Sequence, residues 1–386
     1  MKSHSIAIIL SRLMKKLAFV LLIHLLGSLS MPAASRLQFR NIGFEQGLKN
    51  MNISGITQDK LGYIWVATMG GVCRYNGYEF KYFYFDSNDS TSLSSNHVSS
   101  IFCSSSGLIY IGTAVGLDYY DSKDGKMVKP FPELRCTVLK IAEYNGFIYL
   151  ATNIGLFRFR EDNKGLEKLG SNLTEEMVIN NLLFDGTGNL WCALDHGRGL
   201  ALYDPSTDRY HIFQDTIQTP FSDCNTVRTF FHASEDIVLL GTKGGISCFD
   251  LKRKEFTECS EFSSLKSSLA GHDIRFILEK EPSIFWIGTL QAGFFIFDKS
   301  RNVVTRLFTD DEFSEIHSNN YMNYFVDKIG NVWLGTFDAG IDVWFNQSRN
   351  FNFDVSLNNL TREKFVSSID SDKNGNLIIA TRENGF

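Results

Sequence analysis

The chain lacks the short signatures that usually announce catalysis. Its 386 residues contain no HExxH, no P-loop, no GxSxG elbow and no Rossmann glycine fingerprint, so none of these chemistries has positive support. Seven cysteines (Cys73, Cys103, Cys136, Cys192, Cys224, Cys248, Cys259) stand singly with no CxxC. They read as small buried hydrophobes rather than as a disulfide framework or a metal site. Prolines number only six, and 38 Lys+Arg against 43 Asp+Glu leave a net charge of −5. Without an excess of positive charge, nothing in the bulk electrostatics draws the chain to nucleic acid. Long apolar runs are missing too, except near the N-terminus, where Arg12, Lys15 and Lys16 precede Leu17 to Leu26 and the small residues Gly27–Ser30 and Ala33–Ala34. That order is expected of a secretion signal over residues 1–34, and the apolar run is short for a membrane span. No cysteine lies near its end, which argues against a lipoprotein. The mature chain is therefore expected in the periplasm.

What the chain has instead is repetition. A turn glycine, an aromatic strand ending in Gly-Thr or Ala-Thr and a second glycine recur eight times, at steps of 39 to 48 residues. Gly62-Tyr-Ile-Trp-Val-Ala-Thr68, Gly107-Leu-Ile-Tyr-Ile-Gly-Thr113 and Gly330-Asn-Val-Trp-Leu-Gly-Thr336 are clear copies. Units four to six are degenerate: Leu194 replaces the threonine, and Asp236 and Ser283 replace the turn glycine. Short strands at this period predict an all-β chain, a β-propeller of four-stranded antiparallel blades. Four residues beyond the second glycine stand Tyr75, Tyr120, Phe159, Tyr203, Phe249, Phe297 and Trp344. A fourth, variable strand is read at Phe80–Phe83, Tyr210–Phe213 and Phe351–Phe353. One blade cannot bury both faces, so neighbours must stack. Seven complete repeats are assigned to residues 35–353, and residues 354–386 to a truncated eighth that either opens a second propeller or belongs to the same ring.

Several tempting residues have structural explanations. Trp65, Trp191, Trp286 and Trp333 share one position of strand two, which points to packing between blades rather than to sugar platforms. Asp370-Ser-Asp372-Lys-Asn374-Gly375 matches half a calcium loop, but Thr381 stands where the bidentate glutamate belongs. No metal and no cofactor are expected. Asp59, Asp185 and Asp327 open Asp-x-x-Gly-x-x-Trp turns, in which the aspartate is expected to bond its own backbone. These turns partly resemble the aspartate boxes of sialidases, yet they lack the initial serine. No catalytic residue is assigned.

Variation among the repeats points to one face. The connection between strands two and three is Met69-Gly70 or Lys243-Gly244 in tight units. It grows to Asp195-His196-Gly197-Arg198 in unit four and to Phe337-Asp338-Ala339 in unit seven, with Gln291 in unit six. The loops leading into strand one share that end of the ring and carry His97, His272 and Asn320. Propellers bind ligands where such loops converge. The candidate ligand residues are Asp195, His196, Arg198, Lys243, Gln291, Asp338, His97, His272 and Asn320.

The run Leu93-Ser-Ser-Asn96-His-Val98, the strand Gly107 to Thr113, Gly116-Leu117 and the pair Tyr120-Asp121 resemble the two-component regulator propeller repeat. Phe39-Arg-Asn-Ile-Gly-Phe44-Glu-Gln-Gly47-Leu48 is similar to the opening segment of such proteins. The resemblance implies the periplasmic sensor half of a hybrid two-component histidine kinase, with two seven-bladed propellers, a β-sandwich, a membrane helix and a cytoplasmic kinase. It implies an oligosaccharide or other small ligand, a homodimeric parent and membrane attachment through a downstream helix. Two further readings stay open: a periplasmic propeller enzyme acting on glycans, hydrolase or lyase, and a scaffold propeller that binds another protein.

Overall fold

The computed structural model describes residues 37–346 apart from 163–164, 171–176, 217–222 and 312–314, together with backbone strands at 366–371 and 377–381. The expected leader over 1–34 and the half calcium loop's turn lie outside the described residues. Seven four-stranded antiparallel sheets form the ring. Their innermost strands are Ile53–Gln58, Val98–Cys103, Val138–Tyr144, Ile179–Phe184, Val227–His232, Asp273–Glu281 and Tyr321–Val326. Each inner strand adjoins the next, and the last adjoins the first.

Closure corrects one expectation. Phe351–Phe353 lies outside the described residues, and the fourth strand of blade 7 is Arg40–Ile42, paired antiparallel to Ile341–Trp344. The equivalence shows at the glycines that open the third strands. A Cβ on Gly199 or Gly293 would strike the last outer-strand carbonyl, Phe213 O or Leu307 O, at 2.2 and 2.3 Å; on Gly340 it would strike Ile42 O at 2.4 Å. Joining the two ends of the ring in one sheet closes seven blades without the eighth repeat, whose strands Val366–Ser371 and Leu377–Thr381 pair with each other.

The repeat phrase is explained residue by residue. The second-strand threonine donates its hydroxyl to the glycine carbonyl across the turn: Thr68 to Gly71 at 2.9 Å, Thr113 to Gly116 at 3.0 Å and Thr336 to Gly340 at 2.8 Å. The same oxygen accepts a loop amide, from Gly70 in blade 1 and Val115 in blade 2. The turn aspartates accept their own backbone amides, as expected, and also the indole N–H six residues on. Asp59 takes Trp65 at 2.8 Å, Asp185 takes Trp191 at 2.9 Å and Asp327 takes Trp333 at 3.0 Å. In five blades the ring of the strand-two aromatic then packs on the third-strand aromatic of the following blade. Trp65 meets Tyr120 at 4.9 Å, Tyr110 meets Phe159 at 5.7 Å and Trp191 meets Phe249 at 5.3 Å. Trp286 meets Trp344 at 5.8 Å, and Trp333 meets Tyr75 at 6.4 Å across the closure. These pairs, all buried except for the half-buried Tyr75, belong to the core, a series of inter-blade clusters rather than one central mass.

Two features between blades 5 and 6 were not expected. A short helix, Ser263–Leu269, buries Leu265 and Leu269 on one side beside Phe262, because a spacing of four places both leucines on one face. A disulfide joins Cys248 to Cys259, correcting the reading of all seven cysteines as unpaired. The short outer strand Glu255–Thr257 returns the chain so that the two Cα atoms lie 6.2 Å apart. Cys73, Cys136 and Cys192 are buried free thiols. Among the described residues, no helix is long and apolar enough to cross a membrane, and no cluster of His, Cys, Asp or Glu could hold a metal ion.

Candidate functional site

The loops between strands two and three and the loops leading into strand one do share one face. In six blades the two–three loop donates an amide to the residue just before the inner strand of its own blade: Met69 to Asn52, Ala114 to His97, Asn153 to Thr137, Asp195 to Val178, Lys243 to Thr226 and Phe337 to Asn320. Asparagines of the lead-in loops clamp the departing outer strands. Asn96 accepts the Phe85 amide at 2.7 Å, Asn225 that of Asp215 at 2.7 Å and Asn319 that of Thr309 at 3.1 Å. The asparagine of the Leu-Ser-Ser-Asn motif therefore fixes the loop, and the residue after it stands at the face.

Three of the candidate residues form one hydrogen-bonded group over blades 6 and 7. Asn320 donates to Asp338 at 2.7 Å and accepts the Gln291 amide at 2.9 Å, and Ser318 also donates to Asp338. Gln291 and His196 sit in the left-handed region, with φ of 67° and 54°. That conformation disfavours ordinary side chains and marks loops held by their surroundings. Lys243 pairs with Asp223 at 2.7 Å with both side chains about half exposed. The ring of His272 lies 6.0 Å from that of Phe295; desolvation, aided by Arg306, holds it below the usual histidine range. Arg198 donates its amide to Asp195 O at 3.1 Å. His97 stands on the same face over blade 2, and no contact among the described residues ties it to the other eight.

Asp195 belongs to a second group, most of which sequence reasoning missed. Arg228 donates Nη1 to Asp195 at 3.1 Å, and its Nε stands 3.9 Å from Asp273 Oδ1. Arg275 donates Nη2 to Asp273 Oδ2 at 2.8 Å. The chain Asp195–Arg228–Asp273–Arg275 thus runs through blades 4, 5 and 6 with its side chains only 14–20 % exposed. Desolvation opposes the charge on Asp195, but the His196 amide and the Arg228 guanidinium outweigh it and hold the carboxyl below its ordinary range.

A β-bulge places the two arginines. In every blade the register between inner and second strand shifts at the second position of the repeat, as between Val227 and Thr229 or Ile274 and Phe276. A bulge leaves one residue unpaired and re-aims its side chain. Those residues are Ser54, Ser99, Leu139, Asn180, Arg228, Arg275 and Met322. Ser54, Ser99 and Asn180 reach round the axis to the first inner-strand carbonyl of the next blade, at 2.7, 2.9 and 2.9 Å. Two arginines among small polar residues at one aligned position were the available signal. Lys140, one residue beyond the bulge of blade 3, is solvent-exposed and without an ion pair. Desolvation nonetheless holds its ammonium below the usual lysine range. Two open hollows lie instead over blades 1 and 2, one lined by Lys49, Asn50, Tyr82 and Tyr84 and the other by Phe85, Val115, Lys129 and Arg135. None of the candidate residues lines either.

Fold and face together define a seven-bladed propeller in which five of the seven bulge residues of the inner strands are polar or charged. The two component regulator propeller family model matches residues 47–70, which span the lead-in, inner strand, aspartate turn and second strand of blade 1. Among solved structures, the chain is similar to the extracellular domain assigned to the hybrid two component system BT3049 from B. thetaiotaomicron, with TM-score 0.67 and 21% identity over 89% of this chain and 47% of that one. It is similarly related to the extracellular domain assigned to BT4673 of the same organism, with TM-score 0.66 and 18% identity over 89% and 44%. Virginiamycin B lyase from Staphylococcus aureus is a further neighbour, with TM-score 0.59 and 13% identity over 79% and 98%. At these identities the likeness is one of fold, and the chain spans less than half the length of the first two. No curated protein sequence matches it.

Proposed function

We propose that this chain is the ligand-sensing propeller of an exported two-component sensor. It binds an oligosaccharide or another small periplasmic ligand and passes the signal to a cytoplasmic kinase that these 386 residues do not contain. The observation that carries the reading is the pairing of a regulator-propeller match in blade 1 with two-component extracellular domains among the neighbours in fold. The role we read is binding rather than catalysis, because most polar groups described on the face are engaged with one another. The basic and apolar leader over residues 1–34 supports export, and the Cys248–Cys259 disulfide suits an oxidising compartment. In a dimeric, membrane-anchored parent, a ligand that prefers one arrangement of the sensor would bias the kinase. Residues 354–386 are read as the start of a second propeller, since the ring of seven is already closed.

Thermal unfolding across a panel of oligosaccharides from digested polysaccharides tests this reading. A ligand that binds only the folded state raises the midpoint by mass action, so one oligosaccharide class is expected to shift it while the others leave it unchanged. Release of products from the panel by the purified chain would instead establish the enzyme reading.

A further inference from the structure

The axial end of the face has a chemical bias that the loops do not reveal. At the bulge and the residue after it, the seven inner strands carry three charged side chains, and all three are cations: Lys140, Arg228 and Arg275. Asp195 and Asp273 neutralise two of those charges and leave one positive charge over, in a chain whose net charge is −5. The group also leaves guanidinium donors without acceptors. The Nε atoms of Arg228 and Arg275 are buried without a hydrogen-bond partner. Arg228 uses only Nη1 and Arg275 only Nη2 on the aspartates, so each guanidinium keeps a second, unsealed Nη with no protein acceptor. Two buried acceptors are also without a partner: Asn323 Oδ1, one residue beyond the bulge of blade 7, and Asp273 Oδ1, which already faces Arg228 Nε at 3.9 Å.

We propose that this end of the axis receives the acidic group of a charged sugar, a carboxylate or a sulfate, between the guanidiniums of Arg228 and Arg275 with Lys140 on the wall two blades away. The inference rests on the ligand-sensing reading and gives its ligand a chemistry. Planar guanidinium forks match the paired oxygens of a carboxylate or sulfate and bind them more strongly than neutral hydroxyls. The site stands among protein groups that limit screening, so the attraction exceeds that of a surface pair. The aspartates hold the arginines in place and keep the empty site near neutrality, since two unpaired guanidiniums side by side would repel.

The test is binding of the full chain to an array with three matched arms: neutral, uronate-bearing and sulfated oligosaccharides of the same backbone. Binding is expected on an acidic arm, weakening as salt rises, and the arm that binds identifies carboxylate or sulfate as the source. Arg275→Met should weaken it by more than about tenfold, and Lys140→Met by roughly two- to fivefold. Lys140 has no ion-pair partner, so its replacement reports on binding even if the arginine variant loses its fold. Binding confined to the neutral arm overturns the acidic-group assignment and leaves the sensor reading standing. Acidic binding indifferent to Lys140→Met and Arg275→Met overturns it by placing the ligand elsewhere. Silence on all three arms overturns the acidic-sugar assignment and leaves the sensor reading to rest on another small ligand.

Discussion

Blades 2 and 7 keep the repeat intact, whereas blades 4, 5 and 6 depart from it, and the chain of paired charges lies wholly on the departing side. In blade 2 the buried Asp118 accepts both the amide and the hydroxyl of Ser94, at 2.7 and 2.5 Å, which fixes the lead-in loop. In blade 7 the buried Asp342 accepts the His317 amide at 3.1 Å, the Tyr321 hydroxyl at 2.8 Å and Asn41 Nδ2 at 3.0 Å, so the same carboxylate also ties in the closing strand. Blades 4 to 6 hold Ala201, Ser247 and Phe295 at that place, two residues beyond the third-strand glycine. Blade 4 has no hydroxyl for the turn, and its loop holds itself through Arg198 N–H to Asp195 O. A helix and a disulfide brace the junction of blades 5 and 6 instead. The difference teaches how a repeat protein acquires a site. The carboxylates that fix blades 2 and 7 point into their own loops, and in blades 4 to 6, where they are absent, paired charged side chains stand at the inner strands.

The comparison breaks if the aromatic ladder is not common to both kinds of blade. Trp65→Ala in blade 1 and Trp191→Ala in blade 4 each remove a buried ring and orphan a turn aspartate. Each should cost about 3–5 kcal/mol in urea unfolding, the largest effect expected here. A cost at Trp191 well below that at Trp65 would mean that the departing blades are held mainly by their helix and disulfide.

A smaller effect sharpens it. Thr113→Val removes a buried hydroxyl that serves the Gly116 carbonyl and the Val115 amide, and should cost about 1–3 kcal/mol. If blade 4 were merely a damaged copy, Leu194→Thr would restore stability. We expect it to destabilise, because Leu194 is fully buried among Leu156, Ile179 and Tyr203 and a four-residue loop has replaced the tight turn. A gain in the urea midpoint for Leu194→Thr would reject the idea that blade 4 has settled into a different solution.

Much of this architecture was legible because the repeats can be compared with one another. Eight copies revealed the strand order, the aromatic register and the structural role of the tryptophans. The closing strand was not legible: Arg40–Ile42 precedes the first phrase and resembles no outer strand, and its place is set by which sheet is left incomplete when the ring closes. The bulge was also hidden, because an unpaired residue inside an apolar strand has no composition of its own. Arg228 and Arg275 therefore looked like ordinary strand residues, while the longer loops drew attention to Asp195 and Asp338. Cys248 and Cys259 are eleven residues apart, a spacing with no motif, and their meeting depends on how short the outer strand is.

The gentlest test uses pH, because one clasp in blade 7 and one in blade 4 should respond in opposite directions. In blade 7 the carboxylate of Asp342, 2.7 Å from His317 Nδ1, holds that imidazole above its ordinary value. The folded state then binds the proton more tightly than the unfolded chain. This contribution is complete below the ordinary histidine value of about 6.5 and is lost as pH rises through the raised value. In blade 4, desolvation pushes Asp185 upward, but hydrogen bonds from Trp191, Thr187 and Asn189 prevail and bring it to about 2. Its contribution is complete above the ordinary aspartate value and is lost as pH falls toward 2. Urea midpoints measured through both windows should therefore decline on the alkaline side in a way that His317→Asn flattens, since asparagine can still donate to Asp342 but cannot titrate. On the acid side the decline should be shallower in Asp185→Asn, from a lower starting stability. If His317→Asn leaves the alkaline slope unchanged, the clasp on Asp342 holds blade 7 through its neutral donors alone, and the distinction between intact and departing blades then rests on packing rather than on charge.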